Sequence, residues 1–100
     1  MHFDSIHNYY ETLVVRELVG MYAHDIKNMD EDYLQDVACL ALNMLPARYV
    51  RHDVDMAFFL TSDEREKIAN MVTKAVTDAI DHVKKYGTED ERPNTIDQED

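Results

Sequence analysis

An apolar stripe at helical spacing runs from Ile68 to Tyr86 without a break: Ile68, Val72, Ala75, Val76, Ala79, Ile80, Val83 and Tyr86. Steps of three and four residues put all of them on one side of a helix. Thr61 followed by Glu64 has the capping-box pattern at its start. Asp63, Glu64 and Glu66 place negative charge on the positive end of the helix dipole, and Lys84 and Lys85 place positive charge on the other. Gly87 suits the position just past the last turn. One helix of this length takes a quarter of a 100-residue chain, which is enough for a single domain and no more. The stripe is broad and rich in alanine, so another helix can approach it closely.

Two further helices are expected. Ile6, Tyr10, Leu13, Val14, Leu18, Met21 and Tyr22 predict one from about Ser5 to Ala23, with Asp4 or Ser5 as its cap. Residues 24–29 read as a connection. The second helix starts near 28–30, where Asn28 and Glu31 have capping-box spacing. Tyr33, Leu34, Val37, Leu40, Ala41, Met44 and Leu45 form its apolar face. Pro46 lacks the N–H for the next bond and forces Leu45 out of helical dihedrals, so the helix ends at Asn43 or Met44.

Beyond Pro46 the pattern changes. Arg48-Tyr49-Val50-Arg51 alternates polar and bulky residues, as an extended segment does. His52-Asp53-Val54-Asp55 reads as a turn, and Met56-Ala57-Phe58-Phe59-Leu60 as a short strand or a buried loop. A hairpin across residues 48–60 would join them. The expected fold is mainly α: a small helical domain of three main helices over residues 1–87, with a short extended or hairpin segment after Leu45-Pro46-Ala47-Arg48-Tyr49-Val50. Residues 88–100 hold six acids against Arg92 and read as an acidic disordered tail. Three helices leave the wide face of the last one without a partner, so a homodimer is expected.

Charge narrows the function. The formal net charge is −11, and residues 1–87 alone carry 15 acids against 9 bases. Such a field repels polyphosphate, so general nucleic-acid binding is not expected. It still permits a small anion held by a local pair of arginines. One cysteine excludes an internal disulfide and a multi-thiolate zinc site. The N-terminus shows no basic region followed by an apolar run, and no apolar stretch nears the roughly 20 residues that span a bilayer. The expected setting is cytoplasmic, with no membrane partner.

Most chemical candidates have a plainer reading. His24-Asp25 resembles half of a metal-dependent hydrolase motif, which would also need ligands such as His52, but fits a polar helix end as well. His52, Asp53 and Asp55 are spaced loosely for a divalent ion, and turns favour aspartate for backbone reasons. Cys39, between Ala38 and Leu40, reads as a small packed group, with no local base to activate it. Two glycines cannot build a phosphate loop. The six methionines read as core filler. No catalytic residue, metal or cofactor is expected, and the chain reads as non-enzymatic.

Arg48 and Arg51 flank Tyr49 straight after a helix end. Guanidinium groups fork onto phosphate and stack on purines, and Tyr49 offers a stacking face. In a fully extended chain the two arginines point to opposite sides, so a turn must bring them together. The plainer alternative is that Arg48 pairs with a carboxylate such as Asp36 while Tyr49 and Val50 pack.

The 15 contiguous residues Asp36 to Val50 read DVACLALNMLPARYV. They resemble the DV-x-x-LALN-x-LPPRYV block of the late competence ComFB family. Ala47 stands where the family pattern has its second proline, and residues 24–35 hold none of the cysteines that Bacillus-type members carry before the block. Zinc binding of that kind is therefore not carried over. The resemblance implies a small, mainly helical, dimeric protein. Some cyanobacterial members of the family are receptors for cyclic di-GMP. If that extends to this chain, Arg48, Tyr49 and Arg51 are the expected ligand contacts. The alternative is a protein–protein adaptor with no small ligand and an unknown partner, linked to competence or surface behaviour.

Overall fold

A computed structural model describes residues 3–86. In chain order they form β1 (His7–Asn8), α1 (Tyr10–Met21), a 3-10 turn (Ile26–Asn28), α2 (Glu31–Met44), β2 (Tyr49–Val50), α3 (Asp53–Phe59) and α4 (Ser62–Tyr86). The mainly helical class holds, with four α-helices rather than three. The acidic segment 88–100 lies outside the described residues, as does Gly87. No helix among the described residues is long and apolar enough to cross a membrane.

Local chemistry accounts for the helix ends. The Glu64 N–H donates to Thr61 Oγ1 at 3.1 Å, and Glu64 Oε1 accepts from the Thr61 N–H at 2.8 Å, which is the reciprocal capping box expected for α4. α2 is capped by Asp30 rather than Asn28: Asp30 Oδ1 accepts from the Asp32 N–H at 3.1 Å. Leu45 turns extended, at φ −101° and ψ 148°, as a residue before proline must. α1 starts at Tyr10, later than expected, because residues 7 and 8 pair with β2 instead. Neither Asp4 nor Ser5 caps it. The Tyr10 N–H is taken by Asn8 Oδ1 at 3.2 Å.

α4 packs chiefly against α2 and then α1. Val14, Val37 and Val76 are fully enclosed where the three helices meet, with Ala41 and Ala79 equally buried. Alanines at these positions let the backbones come close, so the broad stripe of α4 is used inside one chain. Val72, Ala75, Val76, Ala79, Ile80 and Val83 are all buried there, and the expectation of an uncovered face on this helix is overturned. Tyr22 at the end of α1 and Tyr33 in α2 join through their hydroxyls at 3.0 Å, with the rings edge to face. Burial, and then the bond to Tyr22, push the Tyr33 phenol well above its ordinary range. Met56 is buried, whereas Met21 and Met44 are exposed, so the methionines are not uniformly core filler.

The segment after Pro46 differs most from expectation. There is no hairpin within 48–60. β2 pairs antiparallel with β1 from the other end of the α1–α2 segment, in the register His7 to Val50 and Asn8 to Tyr49. The stretch read as turn plus apolar run is α3, a seven-residue helix whose one buried side chain is Met56. Its first turn carries Asp53 and Asp55, which favour a helix start electrostatically as well as a turn. Phe58 and Phe59 are 80% and 76% exposed, so the apolar run is not an interior segment.

Asn8 is the joint of this corner. Its Oδ1 accepts both from the Tyr10 N–H and from the Arg48 N–H, each at 3.2 Å. Asn8→Ala removes the acceptor from two backbone donors and is expected to cost about 1–2 kcal/mol. Urea unfolding of the variant measures this; an unchanged midpoint would show that water replaces the amide at no cost.

Candidate functional site

β2 and its flanks carry the three residues singled out from sequence. Arg48 is anchored by its backbone on both sides. Its N–H donates to Asn8 Oδ1, and its carbonyl accepts from the Tyr9 N–H at 2.7 Å. Its side chain is exposed and lies near enough to Glu64 to help hold that carboxylate ionised. The main causes of the lowered Glu64 pKa are the backbone and hydroxyl bonds from Thr61, with the Arg48 charge added to them. Tyr49 is 68% exposed, and Val50 is half-buried on the opposite side of the strand. Arg51 is exposed at a bend leading into α3. The three residues thus share one anchored segment. Neither guanidinium makes a hydrogen bond or ion pair of its own to a described residue.

α3 is tied back beside this segment. His7 Nε2 lies 2.7 Å from Asp53 Oδ1, and His7 Nδ1 lies 3.1 Å from the Ser5 carbonyl. The protonated ring donates at both nitrogens, so the Asp53 bond first, and the Ser5 carbonyl second, raise the His7 pKa above its ordinary 6.5. A raised pKa in the folded state stabilises it fully below about pH 6.5, and that contribution is lost as pH climbs through the folded value. Amide protection in α3 is therefore expected to fall as pH rises above about 6.5, and to lose that dependence in His7→Ala. An identical pH profile in the variant would assign the loss to another group.

A groove that the sequence reading missed opens between α1, α3 and α4. It has two overlapping lobes of about 220 Å³ each, sharing Tyr9, Leu13, Arg16, Leu60 and Arg65. One lobe extends toward α4 over Ile68 and Val72, with Glu17 on its wall. The other extends toward α3 past Thr12 and Asp53. Arg65 donates to the Ala57 carbonyl, which holds the end of α3 against α4. Because Tyr9 also bonds to the Arg48 carbonyl, the groove abuts the Arg48 segment.

The other candidates do not converge. Among the described residues no three His, Cys, Asp or Glu side chains form a group able to hold a metal. His24, Asp25 and His52 are thus not gathered, and Asp25 accepts from Asn28 in the connecting turn at 3.0 Å. Cys39 is exposed rather than packed; α2 turns it outward while Val37 and Ala41 take the core.

The family model for the late competence development protein ComFB matches residues 7–87. The chain belongs to the ComFB family. The matched region takes in every helix and both strands, so the Asp36–Val50 block sits in a family fold and is not an isolated likeness. This ComFB chain is a small protein of a competence-related family. No curated protein matches it. Ala47, the departure from the family's double proline, is exposed, so the missing ring leaves no hole in the core.

Proposed function

We propose that this ComFB-family chain is a non-enzymatic signalling protein that binds cyclic di-GMP as a homodimer, with Arg48, Tyr49 and Arg51 as ligand contacts. The observation that carries the reading is the state of Arg48 and Arg51. Both sit exposed, without a hydrogen bond or ion pair among the described residues, on a segment held by β1, in a chain with net charge −11. An unpaired guanidinium on an anchored backbone loses little freedom when it grips a phosphate. Tyr49, largely in solvent, supplies a face for a purine. Val54, Phe58 and Phe59 on α3 and Val15 and Val19 on α1 are exposed apolar side chains that a second copy would cover.

Calorimetry with cyclic di-GMP, using cyclic di-AMP and GTP as controls, tests the ligand. Micromolar binding of cyclic di-GMP alone supports the reading, and no heat from folded protein at several temperatures defeats it. Light scattering at micromolar concentration tests the dimer, which a single monomer mass would refute.

The exposed phenylalanines favour one rival, an adaptor with no small ligand. It predicts that a protein partner is retained by Arg48→Ala, Arg51→Ala and lost by Phe58→Ser, Phe59→Ser.

A further inference from the structure

We propose that the groove between α1, α3 and α4 is a docking site for the chain's own acidic segment 88–100, with Ile96 on its apolar floor and the acids that follow on Arg16 and Arg65. Leu13, Ile68 and Val72 line that floor. Arg16 is exposed and makes no hydrogen bond or ion pair among the described residues. Arg65, across from it on α4, spends one donor on the Ala57 carbonyl and keeps the rest. Glu17, half-buried on the wall, is likewise without a partner among the described residues. Asp53, the groove's other carboxylate, is held by His7 at 2.7 Å. The groove thus offers apolar surface, two uncommitted cations and one uncommitted anion.

Residues 88–100 supply the complementary set. They lie beyond the region that the family model matches, and outside the described residues. Ile96 is their one large aliphatic side chain, and Asp97 and Glu99 follow it. Arg92, their one base, precedes it by four residues. The order along the segment matches the order along the groove. A chain that turns back after Tyr86 runs toward the start of α4 and meets Val72 and Ile68 before Arg65. Glu17 shares a lobe with Val72, whereas Arg16 and Arg65 belong to both lobes. Arg92 then falls toward Glu17, Ile96 on the floor, and Asp97 and Glu99 toward the arginines.

The distances allow it. At 1.5 Å per residue, Val72 lies about 21 Å and Arg65 about 32 Å of helix back from Tyr86. Extended chain covers about 3.3 Å per residue, so Arg92 reaches about 20 Å from Tyr86, Ile96 about 33 Å and Glu99 about 43 Å. Each lobe of about 220 Å³ is smaller than the roughly 300–1,000 Å³ of small-molecule pockets, and suits single side chains of an extended peptide. Residues 1–87 carry 15 acids against 9 bases, so most of the surface repels the segment and the groove arginines are a local exception. Exposed ion pairs contribute little singly; Ile96 is the anchor and the charges set the direction. Docking within one chain also acts at millimolar effective concentration, which a separate peptide does not have.

Nitroxide labelling of the full chain tests the contact. Cys39→Ser removes the native thiol, and Gln98→Cys carries the label among the acids. The label is expected to broaden the amides of Leu13, Arg16, Ile68 and Ala69 selectively. Adding Ile96→Ser abolishes that broadening. Arg16→Glu reduces it several-fold, and so does about 1 M salt, where the screening length is about 3 Å. Thermal unfolding of each variant checks that it folds. The contact is overturned if no groove amide is broadened, if Ile96→Ser leaves the broadening intact, or if residues 48–51 are broadened instead. Mixing an isotope-labelled chain that has no nitroxide with a nitroxide chain that has no isotope supplies the last arm. Groove broadening in that mixture would put the segment in a second copy's groove and overturn docking within one chain. No arm uses a nucleotide, so the outcome stands apart from the cyclic di-GMP reading.

Discussion

Leu18→Ala is expected to lower the unfolding free energy by about 3 kcal/mol and the melting temperature by roughly 10–20 °C. Leu18 is 4% exposed on the inner side of α1, in the cluster with Val14, Val37 and Val76. Three short helices and one long one cannot collapse around the missing carbons, so a cavity term adds to the lost transfer energy. Glu11→Gln, on the solvent side of the same helix, is expected to stay within about 0.5 kcal/mol. Urea and thermal unfolding of the two variants compare them directly. Equal losses would mean that α1 does not dock by the face described.

Removing both Arg48 and Arg51 as alanines is expected to weaken cyclic di-GMP binding by about a hundredfold or more. A hydrogen bond to a charged group contributes roughly 1.5–3 kcal/mol, and each guanidinium is assigned at least one to the ligand. Stability should move by less than about 0.5 kcal/mol, since both side chains are exposed and make no hydrogen bond or ion pair among the described residues. Lys74→Ala is the charge control. Lys74 is bound to Asp78 at 2.8 Å on α4, and its loss makes the chain more acidic without touching the segment. If Lys74→Ala weakens binding as much as the double variant does, the effect is one of overall field and not of contact. Unchanged affinity in the double variant removes the segment from the site.

The long helix was legible because three independent signals agree on it: a capping box, a charge gradient and an apolar stripe. The end of α2 was legible because proline acts through sterics that need no tertiary context. α3 was not. Seven residues hold barely two helical turns, too few for a period to declare itself, and Phe58 and Phe59 point to solvent where pattern reading assigns them to the interior. β1 was hidden for another reason. Two residues carry no alternation, and the partner that makes them a strand lies beyond both α1 and α2 in the chain. Arg48, Tyr49 and Arg51 could be picked out as one stretch of chain, but the groove could not, because its walls come from three helices. One clue was present. Arg65 stands near the start of α4, where a positive charge opposes the helix dipole, and a residue set against that preference asks for a contact elsewhere.

The β1–β2 pair ties the N-terminal end of the described chain to the integrity of the Arg48 segment. Its two strands close a long loop that contains α1 and α2, so the docking of those helices offsets the entropy of bringing the strands together. A deletion through Asn8 would leave the four helices and all three contact residues in the chain, yet release Arg48 and Tyr49 from the backbone bonds that hold them. Ligand affinity would report on the far end of the polypeptide.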